Sequence, residues 1–164
     1  MPRKGVFFAI TPEELKKLEA IPDDEGRKLF VRDVIEDAWD EDFTQEVGMS
    51  WEALHRCFGD GSCDHKPATT PLAKAIFGGR QLHSDLTWYV INLVEPAEVP
   101  AVAEALAAVT PEWLAERYNA IGPDYAHHNE QDKKDALNWF KGLPEFYARA
   151  AKAGRAVIFT VETF

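Results

Sequence analysis

The side chains best suited to chemistry lie in one short window of this chain, residues 51–65, with the sequence WEALHRCFGDGSCDH. This window holds both cysteines and two of the five histidines: His55, Cys57, Cys63 and His65. Thiolates and imidazoles are preferred ligands of zinc, and a thiolate with a neighbouring base can act as a nucleophile. The window therefore raises two hypotheses, a zinc site and a catalytic thiol.

The spacing of these residues argues against a four-ligand zinc site. A helix is predicted up to Phe58, and on a helix the side chains of His55 and Cys57 point about 200° apart. A metal ion would then have to be held by Cys57, Cys63 and His65. Such convergence requires the helix to fray near its end, so we expect no metal ion and no other cofactor.

The thiols are also poor candidates for a nucleophile. A catalytic thiol needs nearby positive charge to lower its pKa, whereas Cys63 follows Asp60 and directly precedes Asp64. We therefore predict no catalytic residue, and we interpret Cys57 as a small apolar core residue and Cys63 as a loop residue. Two cysteines are too few for a disulfide scaffold, so both are expected to stay reduced.

Trp51 and His55 form a more informative pair. Residues four apart share one face of a helix, so His55 is expected to be at least partly buried and to need a hydrogen-bond partner. One interpretation is a structural histidine in the core. The other is an aromatic-lined site for a small ligand, formed by Trp51, His55, Trp88 and Tyr89.

Cap residues and periodicity predict the elements that position these side chains. Thr11, Thr70 and Thr110 each precede a proline, which is typical of a helix start. Predicted strands are 5–10, 87–94 and 156–161. Predicted helices are 24–39, 50–58, 70–77, 96–108, 110–119 and a long helix from 132 that Gly142 and Pro144 kink or split. The order of elements predicts an α+β fold: one compact domain over residues 1–164, with a small sheet that includes both terminal strands and packs against several helices.

Several motifs follow one another along nearly the whole chain. They are the opening strand and helix at 5–15, SWEALH at 50–55, PLAKAIFGG at 71–79, EPAEVPAVAEAL at 95–106 and LPEFYARAAKAGRAVIFTV at 143–161. Their order and spacing resemble the YfbM-like family, a bacterial family of domains of unknown function. The resemblance implies a single α+β domain and supplies no reaction. Trp51 and His55 match the family's tryptophan-to-histidine motif, whereas the loop with Cys63 and His65 is peculiar to this chain.

The charge of the chain restricts its partners. With 18 Lys and Arg against 28 Asp and Glu, the net charge is −10, which opposes binding to nucleic acid or to an anionic membrane. No apolar run reaches the roughly 20 residues that span a bilayer, and the first residues turn acidic too soon for a signal peptide. We therefore expect a soluble cytoplasmic protein whose acidic surface could attract a basic protein partner.

These observations favour a small cytoplasmic protein without enzymatic activity. We expect an interaction or modulator protein, for example an immunity-type partner of another protein. The alternative is an enzyme or a small-ligand-binding domain with a pocket near Trp51 and His55.

Overall fold

The first and last strands of the chain pair with each other at the centre of a five-stranded sheet. The computed structural model describes residues 4–64, 66–83 and 89–162. Strand β1 (Gly5–Ile10) is antiparallel to β5 (Ala156–Glu162), with Val6 opposite Thr160. Strand β2 (Thr44–Gly48) flanks β1, and β4 (Tyr89–Val94) flanks β5, followed by β3 (Arg80–Gln81). The prediction that the terminal strands share a sheet is confirmed.

Both faces of the sheet are buried. Because alternate side chains of a strand point to opposite faces, each central strand contributes to two cores. On one face, Phe8, Ile91 and Ile158 pack with buried residues of the helical segment after β1. On the other face, Phe7 and Phe159 belong to a larger core shared with the remaining helices. The three central strands are therefore apolar at nearly every position, and the fold is α+β as predicted.

The helices divide between the two faces of the sheet. The smaller core includes Leu18 of α1 (Pro12–Ala20), and Val31 and Ile35 of the π-helical turns Val31–Glu36, which continue α2 (Asp24–Phe30). The larger core is covered by α3 (Trp51–Phe58), α4 (Pro71–Ala73) with the π-helical turn Lys74–Gly78, α5 (Val99–Ala107), α6 (Pro111–Asn119), α7 (Glu130–Phe140) and α8 (Leu143–Lys152). The long helix from 132, expected to be kinked or split at Gly142 and Pro144, is split into α7 and α8.

Cap chemistry located several helix starts correctly. Thr11 forms a reciprocal capping box with Glu14, and the Thr110 side chain accepts from the Trp113 backbone N–H at 3.1 Å. Ser50 precedes α3 as predicted, but its side chain makes no capping hydrogen bond. The helix expected from Pro96 begins only at Val99.

The predicted amphipathic helix at 24–39 is helical as far as Ala38, but it buries fewer residues than its α-helical period indicates. Val31 and Ile35 are buried, whereas Val34 and Ala38 are exposed. The π-helical turns widen the helix, so residues are rotated away from their α-helical phase. None of the helices in the described ranges is both long and apolar enough to cross a bilayer.

Candidate functional site

Helix α3, which carries the first eight residues of the 51–65 window, is buried on nearly all sides. Seven of its residues are buried, from Trp51 to Phe58 with Glu52 half-buried. His55 is only 7% exposed. Its ring meets the edge of Phe77 with 5.1 Å between ring centres, and its Nε2 lies 3.3 Å from the Asp64 carbonyl oxygen. The expected buried and hydrogen-bonded histidine is confirmed.

A cavity of about 390 Å³ lies beside the His55 ring. Phe58 at the end of α3 and Asp60 just after it form one part of its wall, and the loop with Ser62 and Asp64 forms another. Thr70 closes it from the start of α4. Its wall combines hydroxyl, carboxylate and ammonium groups with apolar side chains around one imidazole.

Of the four residues predicted to form an aromatic ligand site, the three that the structure describes do not line one cavity. Trp51 does not line the His55 cavity but a second one, on another side of α3. Tyr89 packs in the core on the opposite face of the sheet, where its ring meets the edge of His83. Trp88 lies outside the described residues.

The two thiols are protected by burial. Cys57 is 1% exposed within the larger core, and Cys63 is half-buried against the same core. Both are free thiols, and burial raises the pKa of each to about 12. Within the described residues, no three His, Cys, Asp or Glu side chains are grouped to hold a metal ion, and His65 lies outside those residues.

Sequence reasoning missed Arg56, the buried cation of α3. Its guanidinium donates to Glu52 Oε1 at 2.9 Å, to Asp124 Oδ2 at 2.7 Å and to the Gly61 carbonyl at 3.0 Å. It also lies over the Tyr125 ring, 5.3 Å from the ring centre. Its side chain is only 7% exposed. Its hydrogen bonds connect α3 to the 59–62 loop and to the 122–125 loop. An arginine four residues after a glutamate was the one sequence signal for this network.

The second cavity, a groove of about 540 Å³, lies between the start of α3 and the start of α7. Residues that follow β2 form one wall, and the loop before α7 forms the floor with the first turns of α7. Among its lining residues are Met49, Trp51, Glu52, Tyr125, His127, Asp132 and Asp135. We call this the acidic groove, because it has three carboxylates and, among the described residues, no lining lysine or arginine.

One carboxylate of the acidic groove is fixed by two buried tyrosines. The hydroxyls of Tyr118 and Tyr125 both donate to Asp132 Oδ2, at 2.6 and 2.8 Å. Burial is the main cause that raises the pKa of both hydroxyls above the usual range for tyrosine, and the hydrogen bond to Asp132 is the second cause. The tyrosines therefore remain protonated donors, and Asp132 is held in one orientation at the groove.

The loop before α7 is polar, and its His127 and His128 are exposed. The His128 ring stacks on Tyr118 with 4.8 Å between the ring centres. Asn129 caps α7 by accepting from the Asp132 backbone N–H at 2.9 Å. The loop is thus held at several points, and it presents His127 to the acidic groove.

Comparison with known proteins supports the fold and the family. The profile of a family described as a domain of unknown function, DUF1877, matches residues 1–160. A solved structure, that of a protein of unknown function, YfbM from Escherichia coli, is similar to this chain with a TM-score of 0.66 and 19% identity. The alignment covers 96% of this chain and 99% of that one. No curated protein matches the chain.

Proposed function

Because the chain belongs to the DUF1877 family, whose description assigns no activity, we propose a function from its own surface: it binds a basic segment of a partner protein. In this proposal it is a small interaction protein of the bacterial cytoplasm, without enzymatic activity, and the acidic groove is the binding site. The observation that carries the proposal is the composition of that groove: Glu52 is paired with Arg56, whereas Asp132 and Asp135 have no lysine or arginine beside them among the described lining residues.

The margin of the groove favours a protein over a small ion as the occupant. Met49, on one wall, is 61% exposed, and Trp139 is 36% exposed one helical turn after Asp135. The Trp139 ring lies against Gly48, next to Met49. Exposed Met and Trp side chains are enriched at protein interfaces, and charge complementarity around them speeds encounter with the correct partner.

The tyrosine network favours binding over proton-transfer chemistry. Tyr118 and Tyr125 have raised pKa values and keep their protons, so they are poor acids at neutral pH. Their bonds orient Asp132 as a fixed hydrogen-bond acceptor. A fixed anionic acceptor beside aromatic rings suits recognition of a cationic group.

Affinity capture from the native cell tests this proposal. The wild-type chain and the variants Asp135→Lys and Glu104→Lys would each be used as bait, and the partner's affinity would then be measured at low and high salt. Both residues are exposed on helices, but only Asp135 lines the groove. We expect one partner that binds saturably to the wild type and to Glu104→Lys but not to Asp135→Lys. High salt should weaken its binding. No saturable partner, or one that binds both variants equally, contradicts the proposal.

The cavity beside His55 supports a second candidate, the small-ligand-binding domain predicted as the alternative. The supporting observation is that His55, which is only 7% exposed, forms part of the wall of a cavity of about 390 Å³. A screen of small polar metabolites by thermal shift tests it, with Thr70→Val as a variant that removes a lining hydroxyl. A compound that stabilises the wild type more than this variant supports the candidate, and the lack of any such compound opposes it.

A further inference from the structure

The acidic groove has the chemistry to select one kind of basic side chain, an inference that rests on the proposed function. We propose that the anchor of the partner is an arginine, whose guanidinium contacts the aromatic wall of Trp51 and Tyr125 and pairs with Asp132 and Asp135. All four residues line the groove.

The fold already shows how one wall of the groove holds a guanidinium. The guanidinium carbon of Arg56 lies 5.3 Å from the centre of the Tyr125 ring. Its Nε and Nη2 both donate to Glu52 Oε1, at 3.1 and 2.9 Å. A planar guanidinium can lie over a ring and still direct its N–H groups at carboxylates, whereas an ammonium is a compact point charge. Glu52 and Tyr125 therefore form a guanidinium contact inside the protein.

Two other carboxylates remain for a guanidinium that comes from outside. Both tyrosine hydroxyls bond Asp132 at Oδ2, and no donor among the described residues bonds its Oδ1. Asp135 accepts from Gln131 at Oδ1, 2.9 Å away, and its Oδ2 has no bonded donor among the described residues. Residues three apart on a helix are neighbours, with roughly 5–6 Å between their Cβ atoms. The fork of a guanidinium can donate to two such carboxylates at once.

The tyrosines act here as positioning residues. Without the hydroxyls of Tyr118 and Tyr125, the Asp132 carboxylate could rotate. Its Oδ1 would then no longer be fixed relative to the Asp135 carboxylate. A fixed pair of acceptors matches the rigid fork of arginine better than the flexible stem of lysine. The preference for arginine over lysine, more than affinity itself, is therefore the property that these hydroxyls should control.

Titration of the full-length ¹⁵N-labelled chain, followed by NMR, tests this inference. The probes are the N-acetyl N-methylamides of arginine, lysine and citrulline, the last of which keeps the shape of arginine but has no charge. We expect saturable shifts at the Trp51 indole and at the Asp132 and Asp135 amides. Arginine should bind about two- to fivefold more tightly than lysine, and citrulline should cause no shift.

Variants locate the site and test the positioning role. Asp135→Asn should weaken arginine binding about tenfold, whereas Glu130→Gln, an exposed charge on the same helix outside the groove lining, should leave it unchanged. Tyr125→Phe should lower the preference for arginine over lysine. Equal binding of lysine and arginine by the wild type, or equal weakening by Asp135→Asn and Glu130→Gln, overturns the inference.

The result also separates this inference from the proposed function. If the arginine probe does not bind, but a partner is still captured and is lost with Asp135→Lys, the arginine anchor is wrong and the proposed function stands. If neither the probe nor a partner binds, both fail.

Discussion

At the scale of single residues, Arg56 has more contacts with distant segments than the sequence indicated. It bonds Glu52 within α3, but also the Gly61 carbonyl and Asp124, and it packs on Tyr125. The sequence could predict the first bond from the spacing of four, because residues four apart on a helix are neighbours. The bond to Asp124 joins residues 68 apart, and no local pattern encodes it.

Replacement of Arg56 by lysine should destabilise the protein although the charge is kept. A single ammonium cannot reproduce the fork that reaches Glu52, Asp124 and Gly61, so the buried cation would lose some of these hydrogen bonds. We expect the free energy of unfolding to fall by about 1 to 3 kcal/mol, measured by urea denaturation. Arg32→Lys is the matched control, because the Arg32 and Asp33 side chains are both 57% exposed. Equal losses in the two variants would contradict this role of Arg56.

The thiols should make the protein sensitive to alkali. Burial raises the pKa of Cys57 and Cys63 from 9.0 to about 12, so between these values the folded state holds protons that the unfolded state has released. Their contribution to stability is complete below pH 9 and is lost as the pH rises toward 12. Denaturation curves at several pH values should show the free energy of unfolding falling above pH 9.

The variant Cys57→Ala should reduce the slope of that fall by up to about 1.4 kcal/mol per pH unit. In the same pH range, a thiol reagent should react with the native chain far more slowly than with the chain in denaturant. Rapid reaction of the native thiols at pH 7 would contradict the raised pKa values and would support a nucleophilic cysteine instead.

At the scale of elements, the boundary between β2 and α3 sets the geometry of the acidic groove. Gly48 ends β2 with a φ of +54°, in the left-handed region. This turn brings Met49, Trp51 and Glu52 to the groove, while the Trp139 ring of α7 lies against Gly48. Strand β2 is not predicted from the sequence, because TQEVG is short and polar and follows an acidic stretch.

Gly48→Ala should therefore be costly. A methyl group at this position would lie 2.9 Å from the Trp139 ring, and it would also add strain at positive φ, for a total of about 2 to 4 kcal/mol. Gly154→Ala is the matched control, since its φ is +68° but nothing lies within 4 Å of the added carbon. Thermal unfolding should show a larger loss of stability for Gly48→Ala than for Gly154→Ala. Similar losses of stability would mean that the contact with Trp139 contributes nothing.

At the scale of the whole molecule, the sequence predicted the architecture better than the site. The terminal strands, the capped helices and the α+β class follow from local apolar runs and cap residues, and they are confirmed. The acidic groove could not be predicted in this way, because Met49 to Glu52 and Tyr125 to Asp135 come from separate parts of the chain. The overall negative charge suggested a basic partner, but only the fold places carboxylates beside exposed Met49 and Trp139.

The proposed function is tested most directly by a photo-reactive amino acid incorporated at position 49, with position 29 as the control. Met49 and Leu29 are both exposed apolar side chains, but only Met49 lines the acidic groove. After irradiation in the native cell, mass spectrometry would identify the attached segment of the partner. The proposal predicts attachment at position 49 to a segment of net positive charge, and loss of that product with Asp135→Lys. Attachment at position 49 to a neutral or acidic segment, or attachment at position 29 alone, would contradict it.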